Sequence, residues 1–319
     1  MIEVSHLTKK YGRHTAVSDV SFTIEKGHIY GLLGPNGAGK STTMNIITGC
    51  LAATEGEVKI GGFDIFEQPR QAKALIGYLP EIPPLYSDAT PHEFLRFVAE
   101  AKKVPSGKIN AQIEAAEEMT GITDVSGRLI KVLSKGYRQR VGIAQALIGD
   151  PEVIILDEPT VGLDPKQIIE IRELIKKLGE DHTVILSSHI LSEVQEVCDT
   201  VLIISRGKLV ACDTPDNLEK LFSGEVGIEL TSECAADEAK QIISALDVEV
   251  SKISETDEGK CTLSLNYAGD DRDGICRELF FAFAEAKKPI IELSAKKAKL
   301  EDVFIELTSG EEAKEATEE

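Results

Sequence analysis

The 319-residue sequence contains no tryptophan, and aromatic residues make up only 5% of it. No apolar run approaches the ~18–20 residues that a membrane-spanning helix needs, and residues 1–15 lack the apolar core of a signal peptide. The six cysteines (Cys50, Cys198, Cys212, Cys234, Cys261 and Cys276) are irregularly spaced and form no C-x-x-C pair. That spacing argues against a zinc site and against a redox motif, and reads as reduced packing cysteines. An excess of positive charge is also missing: 35 Lys+Arg stand against 54 Asp+Glu, a formal net charge of -19. Duplex DNA binding draws much of its affinity from Lys and Arg on phosphates, so no nucleic-acid partner is expected, although a local basic patch is still allowed. No internal repeat is visible.

What remains is a globular composition, 42% hydrophobic and 28% charged. At about 150 residues per domain the length suggests roughly two domains. Residues 1–220 hold 24 Lys+Arg and 30 Asp+Glu, whereas residues 221–319 hold 11 and 24. The shift marks a boundary near Leu221 and divides the chain into 1–220, 221–308 and an acidic tail, 309–319. Glu311 to Glu319 has five Glu and one Lys, a composition that predicts disorder.

Alternating Val20, Phe22 and Ile24, a Glu25-Lys26-Gly27 turn and the apolar run Ile29 to Leu33 read as strand, turn and buried strand. Thr90-Pro91-His92-Glu93 supplies an N-cap, a proline at the first helical position and a capping-box acid before the run Phe94 to Ala101. Asp164-Pro165-Lys166-Gln167 repeats that grammar before Ile168 to Ile175. Apolar runs at Val153 to Leu156, Val184 to Leu186 and Val201 to Ile204 alternate with such helices, as in a parallel sheet covered on both faces, so the first part reads as α/β. Beyond Leu221 come strand Val226 to Leu230, helix Ala235 to Leu246, and strands Val248 to Ile253 and Thr262 to Tyr267. Helix Gly274 to Ala286 and strand Pro289 to Leu293 complete a βαββαβ order, a small α+β domain of the split-βαβ kind. An amphipathic stretch, Leu300 to Leu307, is expected to pack back onto it.

Gly34-Pro35-Asn36-Gly37-Ala38-Gly39-Lys40-Ser41 satisfies G-x4-G-K-[ST] directly after a buried strand and before helix-compatible Thr42 to Ile47. Glycines let successive backbone N–H groups turn toward phosphate oxygens, and the helix N-terminus points at the same anion. Lys40 adds charge toward the outer phosphates, and Ser41 offers a hydroxyl to magnesium. The strand Val153 to Leu156 ends in Asp157 and Glu158, which point to opposite faces. Asp157 is a candidate for holding magnesium, and Glu158 for accepting the proton of an attacking water. Ser134 stands where an N-cap would precede a helix over Tyr137 to Leu147, a second anion-facing end in the same chain.

Leu133-Ser134-Lys135-Gly136-Tyr137-Arg138-Gln139-Arg140 resembles the signature motif of ATP-binding cassette ATPases, and it lies at that family's spacing ahead of the carboxylate strand. Gly162-Leu163-Asp164 and His189 are similar to its D-loop and switch histidine, and Tyr11 to the aromatic on which adenine stacks. The resemblance covers about residues 1–220. It implies a P-loop cassette with a mostly parallel sheet, a small antiparallel β part and a helical signature subdomain. It also implies ATP and Mg2+ as ligands, with Ser134, Gly136 and Asp164 facing the ATP held by a second copy in a head-to-tail dimer. The wording of the signature, Gly77-Tyr78-Leu79-Pro80-Glu81 and the acidic extension are similar to ATPase subunits of ABC-2 type exporters. Those subunits work with a separate membrane permease, so the resemblance implies a cytoplasmic protein held peripherally at the inner face of the membrane.

Three positions depart from the common pattern. Glu81 stands where many members carry glutamine, replacing a neutral metal ligand by a charged one of equal length. Lys135 and Tyr137 stand in the signature where Gly and Gln are common. Two other readings stay open on sequence alone. The first is a soluble cassette ATPase acting on DNA or ribosomes, disfavoured by the single cassette and the absence of a heptad run. The second is phosphoryl transfer to a small acceptor, which would leave the signature without a function.

Overall fold

Two long strands open the chain, β1 (Ile2–Tyr11) and β2 (His14–Ile24), followed by the short β3 (Ile29–Leu33), whose five residues are all buried. In the computed structural model, residues 1–222, 226–244, 246–255, 260–267, 269 and 271–296 are described. Helix α1 (Lys40–Ile47) leads to β4 (Glu55–Ile60) and β5 (Phe63–Asp64), then α2 (Pro69–Ala74) and β6 (Ile76–Leu79). Three helices follow, α3 (Pro91–Ala101), α4 (Ser106–Thr120) and α5 (Lys135–Leu147). The first unit then alternates β7 (Val153–Asp157), α6 (Pro165–Gly179), β8 (Thr183–Ser188), α7 (Leu191–Val197), β9 (Thr200–Ser205) and β10 (Lys208–Asp213).

These elements form two sheets and a helical cluster. One sheet has the order β10-β9-β3-β8-β7-β6, parallel except at the β10 edge. Its central strands are apolar on both sides, as a sheet covered on both faces requires. Asp157 and Ser187 are partners in the β7–β8 register, so the polar ends of two apolar strands meet at one edge. The second sheet, β2-β1-β4-β5, is antiparallel throughout. It shares a core with the first, through residues such as Ile2, Val20, Met44 and Ile155. The helices α3, α4 and α5 enclose their own core around Leu95, Ile113, Ile130 and Val141. Each fully buried aliphatic side chain there contributes about 1.5–3 kcal/mol.

Local capping fixes where the helices begin. At α3 both halves of the capping box form, with Glu93 N–H donating to Thr90 Oγ1 at 3.2 Å and Thr90 N–H donating to Glu93 Oε2 at 2.9 Å. Asp164 caps α6 through Gln167 N–H at 3.0 Å, and Ser134 caps α5 through Tyr137 N–H at 3.3 Å.

The chain divides into two units, Met1–Pro215 and Asp216–Glu319, so the boundary falls five residues before the charge shift suggests. It coincides with the start of α8 (Pro215–Phe222), where a proline opens a helix. The second unit contains β11 (Val226–Ser232), α9 (Ala236–Ile243), β12 (Glu249–Glu255), β13 (Cys261–Tyr267), α10 (Arg272–Glu285) and β14 (Ile290–Lys296). Its strands run in the order β12-β13-β11-β14, antiparallel throughout, which is the split-βαβ arrangement. Leu230, Leu263, Leu265, Leu279 and Phe283 fill the space between sheet and helices. The stretch Leu300 to Leu307 and the acidic tail lie outside the described residues.

Candidate active site

The loop between β3 and α1 is shaped by close backbone contacts. A side chain at Gly34 would stand 2.3 Å from Ile204 O, and one at Gly39, whose φ is 107°, would stand 2.5 Å from Ala16 O. Gly207 N–H donates to Ala38 O at 2.8 Å and Ala38 N–H to Pro35 O at 3.2 Å, so the loop is braced from behind. Gly34, Pro35 and Ala38 therefore form its frame. Asn36, Gly37, Gly39, Lys40, Ser41 and Thr42 line a cavity of about 510 Å3.

Tyr11, Glu81, Glu158 and His189 line the same cavity, as do His14, Ala16 and Val161, which carry no motif signal. The Tyr11 ring is 49% exposed, with Lys9 Nζ 5.3 Å from its centroid, so one face is open to a planar ligand. The Lys40 ammonium, nearly buried, donates to Gly34 O at 2.8 Å and Pro35 O at 3.3 Å, and lies 3.5 Å from Glu158 Oε1. The other Glu158 oxygen is 2.8 Å from His189 Nδ1. Glu158 is thus held between a cation and an imidazole at the mouth of the phosphate loop. Its backbone has φ 49°, a left-handed conformation that a non-glycine residue adopts at a cost of order 1–3 kcal/mol.

Asp157 lies beneath Ser41, whose hydroxyl is 3.4 Å from Asp157 Oδ1. Burial pushes its carboxyl above the usual carboxylate range, against the pull of hydrogen bonds from Ser187 and Ser41. Among the described residues no group of three or more His, Cys, Asp or Glu is arranged to hold a metal. The donors that do meet, a hydroxyl and a desolvated carboxylate, are hard oxygens. They suit a magnesium ion that draws its remaining ligands from water and substrate phosphates.

Sequence reasoning missed a set of residues behind these groups. The Ser187 hydroxyl donates to Asp157 Oδ1 at 2.6 Å and accepts from Glu158 N–H at 2.9 Å, fixing the Asp157 carboxylate and the Glu158 backbone at once. Glu193, 3% exposed, accepts from Thr160 at 2.6 Å and Ser188 at 3.0 Å through one carboxylate oxygen, with Arg172 3.9 Å from the other. Two serines closing a wholly buried strand were a visible signal. Glu193 offered none, because an acid in an amphipathic helix normally faces water.

Ser134, Gly136 and Asp164 come together elsewhere, in a cavity of about 390 Å3 also lined by Tyr137, Arg140 and Gln167. It shares no lining residue with the cavity at the phosphate loop. Within one chain the two anion-facing devices are therefore separate.

A glycine-framed phosphate loop, a carboxylate pair at the end of a parallel strand and a histidine after the next strand define a nucleotide-hydrolysing P-loop cassette. The family model for the ABC transporter matches residues 17–161. The linearmycin resistance ATP-binding protein LnrL of Bacillus subtilis (strain 168) is 38% identical over 232 residues, 72% of this chain and 75% of that protein. The lantibiotic transport ATP-binding protein SrtF of Streptococcus pyogenes is 38% identical over 233 residues, 72% of this chain and 99% of its own length. Among solved structures, an ATP-binding subunit of an ABC transporter is 30% identical with a TM-score of 0.63, covering 70% of this chain and 93% of that one. A dimeric cassette in a post-hydrolysis state bound to ADP and Pi is 27% identical with a TM-score of 0.61, covering 67% and 98%. The chain belongs to the ABC transporter family, as an ATP-binding subunit that hydrolyses ATP.

Proposed function

We propose that the chain works as a head-to-tail dimer and powers a separately encoded permease of the ABC-2 type, in export. The observation that carries this reading is the pair of separate cavities, one with Lys40, Glu158 and His189, the other with Ser134 and Gly136. Two-fold pairing of identical chains brings each cavity against its complement and makes two composite sites. The names of the relatives, which concern linearmycin resistance and lantibiotic transport, support export from a distance.

In this reading the adenine stacks on Tyr11, and the backbone of Asn36 to Thr42 holds the phosphates. Lys40 gives up its bonds to Gly34 O and Pro35 O for phosphate oxygens. Ser41, Asp157 and Glu81 would hold Mg2+, which supplies charge neutralisation at the outer phosphates. Glu158 accepts the proton of the attacking water, and His189, bonded to its other oxygen, keeps the carboxylate aimed and reaches the γ-phosphate. Ser134, Gly136 and Asp164 meet the nucleotide of the second copy, where the N-terminus of α5 favours negative charge.

No helix among the described residues is long and apolar enough to cross a membrane, and this reading assigns the membrane part to a partner. The surface we assign to it contains Ile82 at 82% exposure, Val132 at 67%, and Tyr86 and Phe97, whose rings lie 5.2 Å apart. Glu81 lines both the nucleotide cavity and the groove beside Ile82, so a change at one is felt at the other. Action on DNA or ribosomes has no comparable support. The test is affinity purification of the tagged protein from gently solubilised native cells. Recovery of one stoichiometric multi-spanning protein is expected; recovery of ribosomes or DNA with soluble proteins alone would overturn the transport reading.

A further inference from the structure

A third cavity, larger than either described above at about 710 Å3, lies where α2 and the loop after it meet the α3–α4 junction and the end of α5. Its lining carries five cations, Arg70, Lys73, Lys102, Lys103 and Lys108, against one carboxylate, Asp150. Among the described residues none of the five is in an ion pair; Lys73 Nζ donates to Gly49 O at 3.0 Å, whereas other lysines of this unit are paired. Lys10, Lys26, Lys59, Lys131 and Lys176 each have a carboxylate partner. In a chain of net charge -19, that concentration of unpaired positive charge is the reverse of what random placement gives.

Lys102 is among the residues that line this cavity. The residue is exposed, and its ammonium donates to Ile148 O at 2.5 Å and Ala146 O at 3.4 Å. Desolvation lowers its pKa to about 8, as expected of a cation taken out of water without a counter-ion. A bound anion would supply that counter-ion. Lys103 with φ 59° and Gly149 with φ 97° are the left-handed residues that end α3 and α5, and Asp150 follows with φ 53°.

We propose that this cavity binds a phosphate-bearing anion of nucleotide size, distinct from the ATP at the phosphate loop. Its volume lies in the usual range for small-molecule sites. A phosphate monoester brings up to two charges and three acceptor oxygens, enough to engage several lysines at once. Lysines on flexible stems suit such a group as point charges and impose no planar geometry, so a phosphoryl oxygen cluster fits better than a carboxylate. Pro69, Val104 and Pro105 also line the cavity and would cover an apolar or ring-bearing portion of the ligand. A soluble phosphorylated metabolite offers such a group as a monoester, and the headgroup of an anionic phospholipid offers the related phosphodiester, with one charge and two free oxygens. The two cavities share no lining residue, so both ligands fit together.

The test uses the full chain saturated with Mg-ADP, so that the phosphate loop is filled. Inorganic tripolyphosphate is titrated by calorimetry, and vesicles of phosphatidylglycerol or of phosphatidylcholine are co-sedimented with the same protein. One saturable site is expected, weakened by at least ~10-fold in Lys73→Gln/Lys108→Gln and in Lys102→Met, while ATP hydrolysis in the absence of the anion is unchanged. Binding of tripolyphosphate without vesicle binding identifies a soluble ligand. Phosphatidylglycerol-selective sedimentation lost in the same variants identifies a lipid headgroup. If neither probe binds, or if both variants bind as wild type does, the proposal is overturned.

Discussion

Replacing Glu193 by alanine removes an acceptor that two buried hydroxyls share. Thr160 and Ser188 are 4% and 0% exposed, and both donate to the same Glu193 oxygen. A buried donor left without a partner costs about 1–3 kcal/mol. Ser188 has a weak alternative in Ile190 O at 3.4 Å, so its share falls at the low end, whereas the bond from Thr160 is the shorter of the two that Glu193 accepts. Arg172 also loses one of two carboxylates, keeping Glu196. Together these place the cost of Glu193→Ala at about 3 kcal/mol, which for a unit of this size lowers Tm by about 6–12 °C. Glu193→Gln keeps a carbonyl oxygen in place and should cost only about 1 kcal/mol.

Turnover should follow the same order. Thr160 is two residues after Glu158 and Ser188 immediately precedes His189, so the network locates both ends of the Glu158–His189 bond. The assay is thermal unfolding of both variants, read beside steady-state ATP hydrolysis. An alanine variant within about 1 °C of the parent Tm would refute the reasoning, because it would mean that neither hydroxyl depends on Glu193.

Other outcomes follow from the same geometry. Glu158→Gln should slow hydrolysis by at least ~100-fold, about 2.7 kcal/mol of barrier, and leave ATP affinity intact; near-normal phosphate release in a single-turnover assay would remove Glu158 from the role of base. Gly39→Ala should lose nucleotide binding by equilibrium dialysis, since the new methyl meets Ala16 O at 2.5 Å in a left-handed backbone; unchanged affinity would show that the loop relaxes freely. Thr90→Ala should destabilise the first unit by about 1 kcal/mol through the lost N-cap, measured by urea unfolding. Hydrogen bonds from Thr90 hold the Glu93 carboxyl below its ordinary 4.5, so its stabilising effect is complete above that pH and is lost as the pH falls through the lower folded value. Glu93→Gln should therefore be less stable than the parent at pH 7 and equal to it at strongly acidic pH.

Much of this molecule is legible before folding, for reasons that differ from one element to the next. The α3 and α6 starts were readable because Thr90-Pro91 and Asp164-Pro165 are local signals that need no tertiary partner. The βαββαβ order of the second unit was readable from short alternating runs, whereas the pairing β12-β13-β11-β14 is set by tertiary contacts that no single run displays. Strand β1 was not read as a strand: His6 has φ 52° and the pairing with β2 shifts register after Val4, so a bulge breaks the apolar alternation. Helix α4 also went unread. It has no side-chain cap, and its buried side includes Ala116 and Thr120 beside Ile109 and Ile113, too small a contrast to stand out.

The site divides in the same way. The phosphate loop and the Asp157–Glu158 pair are contiguous in sequence, and each carries its own chemistry. The groups that aim them, Ser187, Thr160 and Glu193, acquire their roles only when β7, β8 and α7 pack together. The basic cavity is the extreme case. Its cations come from two separate stretches of an acidic chain, Arg70 to Lys73 and Lys102 to Lys108, and neither stretch alone shows the patch.

The central claim is that catalysis needs the phosphate loop of one copy and the signature of another. Lys40→Ala and Ser134→Arg each spoil one half, so each purified variant should be inactive alone. Mixing them in equal amounts with ATP should restore roughly one quarter of parental turnover, because about half of the dimers then hold one intact site. A mixture no more active than its components, although both variants still dimerise, would contradict the composite site.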